Sequence, residues 1–145
     1  MMKRSLVVTA VSALMLLCSA QYLHAQRPWY RGNVVDIIKQ LESDTDSFKS
    51  SLDKALDKSN INGTKAEDEI NGYVKHFEEA TDRLRDRAED RKSAPGAVRE
   101  VMNRGRAINR FMTSHRLGGD AEGDWARVRN DLNRLANAYY ISWRW

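Results

Sequence analysis

Residues 64–92, TKAEDEINGYVKHFEEATDRLRDRAEDRK, decide the fold. Ala66, Ile70, Tyr73, Phe77, Ala80, Leu84 and Ala88 recur in steps of three and four, with charged residues between them. That spacing turns one apolar stripe toward a partner and predicts an amphipathic helix over Thr64–Lys92. The stretch is rich in Ala, Glu, Arg and Lys, all good helix formers, and holds no proline.

The same rhythm runs outward in both directions. Val34, Ile38, Leu41, Thr45, Phe48, Leu52 and Ala55 predict a first helix over about Gly32–Ser59. Val98, Val101, Met102, Gly105, Ile108 and Met112, with Phe111 beside them, predict a third over about Pro95–Leu117. Trp125, Val128, Leu132, Leu135 and Tyr139 predict a fourth over about Ala121–Tyr140. No strand pattern of useful length appears. The interruptions have their own chemistry. Thr64-Lys65-Ala66-Glu67 reads as a capping box after the Asn62-Gly63 turn pair. Pro95 suits a first helical position, and Leu117-Gly118-Gly119-Asp120 reads as a glycine stop followed by an Asp N-cap. Linkers this short force neighbouring helices to be antiparallel. The expected fold class is therefore all-α: an antiparallel up-down-up-down four-helix bundle. Gly105 sits on the core seam at a cost of ~1 kcal/mol in helix propensity, so a large neighbour, an aromatic from another helix, is expected to approach it closely.

Ahead of the helices stands a segment of another kind. Met1-Met2-Lys3-Arg4 is a basic start and Ser5 to Leu17 an uncharged apolar run, with small-residue exits at Cys18-Ser19-Ala20 and Leu23-His24-Ala25. This is the layout of a secretory signal peptide. Residues 1–25 are read as a signal and 26–145 as one bundle domain, with cleavage after Ala20 left as an alternative to Ala25. A retained anchor is disfavoured by Ser12, Ser19 and Gln21, and a lipoprotein at Cys18 by the bulky Leu17 before it. Removing the signal takes the only Cys. It also removes Lys3 and Arg4 from 24 Lys+Arg, leaving 22 against 20 acids, a net charge of +2 rather than +4. Disulfide and thiolate-metal chemistry fall away, and a nearly neutral domain makes no case for nucleic acid. No integral membrane segment is expected after cleavage.

No catalytic set emerges. The c-type haem motif is absent, and neither His76 nor His115 has an acid three residues before it, as a carboxylate-bridged di-iron site requires. No cofactor and no metal site is expected. Asp120, Glu122, Asp124 and Asp131 echo a calcium loop, but Trp125 occupies the position that needs glycine. Acids at a helix N-terminus are the simpler reading.

Two groups remain as candidate sites. Arg99, Arg106 and Arg110 share a stripe on the third helix, with Asn103 among them. They are anion-binding candidates, although pairing with the acids of the second helix, which has nine acids and seven bases, is the preferred reading. Trp29, Tyr30, Tyr139, Tyr140, Trp143 and Trp145 are six of the eight Trp and Tyr residues after the signal. The expected topology puts both chain ends together, so these six should converge. They either close the bundle's end or bind a partner; closure is preferred, and they are the candidate partner-binding residues. Their alternation over Tyr139–Trp145 is like the terminal signal of an outer-membrane barrel, but no alternating ten-residue segments precede it.

Leu56-Asp57-Lys58-Ser59, Phe77-Glu78-Glu79-Ala80-Thr81-Asp82-Arg83-Leu84-Arg85, Ile108-Asn109-Arg110-Phe111-Met112 and Tyr139-Tyr140-Ile141-Ser142-Trp143 carry a further signal. Over Leu56–Trp143 the chain resembles a group of small exported bacterial proteins of unknown function. The resemblance implies a bacterial periplasmic setting and supplies no activity. The expectation is a periplasmic or secreted, non-catalytic bundle with an interaction or structural role, its partner an unknown protein or envelope component. The alternative is a carrier of a small ligand or cation, using the bundle interior or the Asp120 loop.

Overall fold

The computed structural model describes residues 27–90, 92 and 94–145, with side chains from Asn33 onward. The signal reading of residues 1–25 lies outside the described residues. The chain falls into two units, Met1–Gly32 and Asn33–Trp145. The core and every side-chain contact below belong to the second.

Among the described residues four helices follow in order: α1 Arg27–Asp57, α2 Lys65–Glu89, α3 Pro95–His115 and α4 Gly119–Ala138. No strand occurs among the described residues. All four helices contribute to one hydrophobic core, a packing consistent with a helical bundle. Ile38, Leu41, Phe48 and Leu52 enter it from α1, and Ile70, Phe77 and Leu84 from α2. Val98, Met102 and Ile108 enter from α3, and Val128, Leu132 and Leu135 from α4. These are the residues the three-and-four spacing selects. Burying each large one removes apolar area worth about 1.5–3 kcal/mol from water. Thr45 and Thr81 also lie on the buried stripes. Each satisfies its hydroxyl by donating to the carbonyl one turn back, Leu41 at 2.7 Å and Phe77 at 3.0 Å.

The boundaries differ from expectation in ways the capping chemistry explains. α1 begins at Arg27 rather than near Gly32, because Pro28 at the second position suits a first turn. α2 starts after Thr64, which is extended, but the capping box forms only in part. The Thr64 hydroxyl donates backward to the Ile61 carbonyl at 2.6 Å, and Glu67 accepts from the Gly63 N–H instead of that of Thr64. α3 stops at His115, and Arg116 itself takes the left-handed conformation expected of a glycine. α4 begins at Gly119, so Asp120 lies inside its first turn and is not the N-cap. Glu122 accepts the Gly118 N–H at 3.2 Å in its place. The calcium-like acids therefore belong to one continuous helix, which cannot wrap around an ion as a loop does.

The expected approach to Gly105 is present, but the nearest neighbour is aliphatic. A Cβ at Gly105 would lie 2.9 Å from Leu132 Cδ1, 3.5 Å from the Phe77 ring and 3.7 Å from the Trp145 ring.

Candidate functional site

The candidate site is the C-terminal segment, and the end of α4 positions it. Tyr140 has φ +55°. Its N–H donates to the Asn137 carbonyl at 3.1 Å, and the Ile141 N–H reaches back to Ala136 at 2.8 Å. This pair of bonds is a Schellman turn with tyrosine where glycine is usual. It reverses the chain, so Ile141–Trp145 folds back onto the α3–α4 side of the core. Ile141 and Trp143 pack against the core, while Ser142 and Arg144 are exposed. The period of two is that of an extended segment with one face covered.

Aromatic rings connect this strap to the interior. Trp125, only 3% exposed, lies 5.1 Å from Phe48 and 6.4 Å from Phe77. Trp145 meets Trp125 edge-on at 6.3 Å, and Trp143 meets Trp145 edge-on at 6.1 Å. These are the tilted and T-shaped arrangements that ring quadrupoles favour. Two asparagines satisfy the indoles: Trp125 Nε1 donates to Asn109 at 3.0 Å and Trp145 Nε1 to Asn133 at 2.9 Å. Trp143 Nε1 is buried and has no hydrogen-bond partner among the described residues. Arg106 clamps the strap from α3. Its guanidinium carbon stands 4.0 Å from the Trp143 ring centroid, and Nη2 donates to the Arg144 carbonyl at 2.9 Å.

The six candidate aromatics thus separate. Tyr139, Trp143 and Trp145 are packed on the bundle, and burial pushes the Tyr139 hydroxyl pKa upward. Tyr140 stands 93% exposed. The side chains of Trp29 and Tyr30, and with them the expected meeting of the two chain ends, lie outside the described residues. Of the arginine stripe, only Arg106 joins the aromatic cluster. Arg99 and Arg110 are exposed on α3, and Arg99 borders a shallow groove of about 450 Å³ with Tyr73, His76 and Arg104. None of the three arginines pairs with an acid of α2 among the described residues. The ion pair between those helices has the opposite sense, Arg83 to Glu100 at 2.7 Å, and the α2 acid Glu78 pairs instead with Lys49 of α1 at 3.0 Å.

Two acids of α4, Asp124 and Asp131, are committed within the fold. Asp124 pairs with Arg127, and Asp131, 2% exposed, accepts from Arg134 at 2.8 Å. Sequence reading missed their burial. Asp124, Val128, Asp131 and Leu135 are spaced four, three and four apart, the spacing that marks the core stripe. Asn109 and Asn133 carried no signal, because an indole acceptor is recognisable only once its indole has arrived. Among the described residues, no cluster of three or more His, Cys, Asp or Glu is arranged to hold a metal, and no helix is long and apolar enough to cross a membrane. An open groove of about 1150 Å³ borders the start of α4, between Ser47, Lys54, Lys58, Arg116 and Asp120.

The fold and the strap together define the class: over the described residues the protein is all-helical, with four helices and an aromatic C-terminal segment clamped to their side. No protein-family profile, curated protein or solved structure matches the chain.

Proposed function

We propose that this is an exported, non-catalytic bundle of the bacterial cell envelope that binds a partner through the strap surface around Tyr140, Trp143 and Arg106. The observation that carries the reading is the exposure of Tyr140, a large aromatic standing in solvent at the turn that leads into the strap of Trp143 and Trp145. Tyr, Trp and Arg are the residue types that dominate binding hot spots. Export rests on the signal-like residues 1–25 and on the resemblance to small exported bacterial proteins.

The proposal includes an antiparallel up-down-up-down course for the helices. Paired contacts that step in opposite senses support it: Glu42 with Arg85 and Lys49 with Glu78, Arg83 with Glu100 and Phe77 beside Gly105, Gly105 beside Leu132 and Asn109 with Trp125.

Photo-crosslinking from position 140 in the producing cell tests the role. One discrete adduct to an envelope component, lost on Arg106→Ala, is the expected result. Crosslinking no stronger than from the exposed control position Asn130 would overturn it. The carrier reading keeps one observation, the open groove beside Asp120, since the interior is filled by Phe48, Phe77 and Trp125. Native mass spectrometry separates the two: a bound small mass on protein from its own host favours the carrier.

A further inference from the structure

Asp131 presents a chemical problem that the binding role does not use. Its carboxyl is inside the protein, and Arg134 Nη1 occupies Oδ1 at 2.8 Å. Oδ2 has no hydrogen-bond partner among the described residues. The carboxyl of Asp44, on α1, belongs to the same cluster and acts on Asp131 through a hydrogen bond and its charge. Asp44 is itself largely covered, its side chain 16% exposed, with Arg127 Nε at 3.9 Å. Arg127 is shared with Asp124. The charged groups around the pair are therefore Asp44 from α1, and Asp124, Arg127 and Arg134 from α4.

Two ionised carboxylates cannot bond to each other, because both only accept. An unsatisfied buried oxygen facing a second negative charge is costly on both counts. One proton removes both costs: the protonated carboxyl donates to its neighbour, and the pair carries a single negative charge opposite Arg127 and Arg134. We infer that Asp44 and Asp131 form a proton-holding clasp between α1 and α4, closed by one shared proton in mild acid and weakened when that proton leaves.

The local electrostatics point the same way. Burial first, then the hydrogen bond to Asp44 and its charge, push the Asp131 carboxyl from 3.8 to about 6, against the opposing pull of Arg134. The folded chain thus retains a proton that the unfolded chain releases near 3.8. The stabilisation is complete below the unfolded value, is lost as pH rises through about 6, and is absent above it. The clasp rests on no part of the proposed binding role. For a protein outside the inner membrane, it would tie helix packing to the acidity of the medium.

Urea unfolding of the parent chain, Asp131→Asn and Asp44→Asn between pH 4.5 and 8 tests the clasp. The asparagine at 131 keeps the shape and donates to Asp44 without a proton. Relative to Asp131→Asn, the unfolding constant of the parent should rise with pH by roughly thirtyfold across the window. The asparagine variant should be the more stable of the two at pH 7.5. A difference between the two proteins that does not vary with pH would overturn the clasp. So would a carboxyl carbon NMR resonance of Asp131 that titrates near 4 in the folded parent. Asp44→Asn should lower the midpoint of that resonance, and an unmoved midpoint would also overturn the pairing.

Discussion

The guanidinium of Arg106 lies 4.0 Å from the Trp143 ring centroid while bonding the Arg144 carbonyl at 2.9 Å. One side chain of α3 thereby holds both a ring and the backbone of the strap. Arg106→Ala should destabilise the protein by about 1–2 kcal/mol, combining a cation–π contact and a hydrogen bond. Arg106→Lys should restore only part of this, since an ammonium keeps the charge but not the planar fork. Arg110→Ala is the control and should change stability by less than ~0.5 kcal/mol. Urea midpoints of the three variants check the ordering.

Tyr140 holds a left-handed backbone that costs a residue with a Cβ about 1 kcal/mol, and its ring, 93% exposed, recovers little by burial. Tyr140→Gly should therefore raise the melting temperature by roughly 4 °C. If Tyr140 serves the partner, the same variant should lose partner capture while gaining stability. Calorimetry and the crosslinking partner's affinity, measured on one preparation, separate the two effects.

Gly105→Ala sets two magnitudes against each other. Alanine improves helix propensity by ~1 kcal/mol. The new methyl would stand 2.9 Å from Leu132 Cδ1, and Leu132 is fully buried, so it cannot yield toward solvent. Overpacking costs about 1–3 kcal/mol, so a net loss of about 1 kcal/mol is expected. A stabilised Gly105→Ala protein in urea unfolding would contradict this packing.

Deleting residues 141–145 removes Ile141 and Trp143 from the core margin and uncovers the Trp145-facing edge of Trp125. The expected loss is about 2–4 kcal/mol, less than full burial of three large side chains would contribute. Trp125 emission should shift to longer wavelength as water reaches it. An unchanged melting temperature together with lost partner binding would show that the strap serves recognition and not packing.

The spacing of Ile70, Phe77 and Leu84, and its counterparts elsewhere, determined four helices, their apolar faces and most of the core. Those properties follow from local backbone geometry and a 3.6-residue repeat, both legible in one dimension. The exact caps were less legible. Thr64 bonds back to the Ile61 carbonyl, Arg116 takes the left-handed position without being glycine, and Gly118 N–H goes to Glu122, choices that depend on the turn geometry around each. The fate of the polar residues was decided only in three dimensions. Arg106 and Arg110 stand four residues apart on the same arginine-rich stripe, yet only Arg106 meets the returning strap. Asp131 looks like any surface acid until α1 brings Asp44 against it. A hydrophobic stripe needs only some apolar partner, so sequence alone can announce it. A hydrogen bond or a shared proton needs one particular atom at one distance, and only tertiary packing supplies that atom.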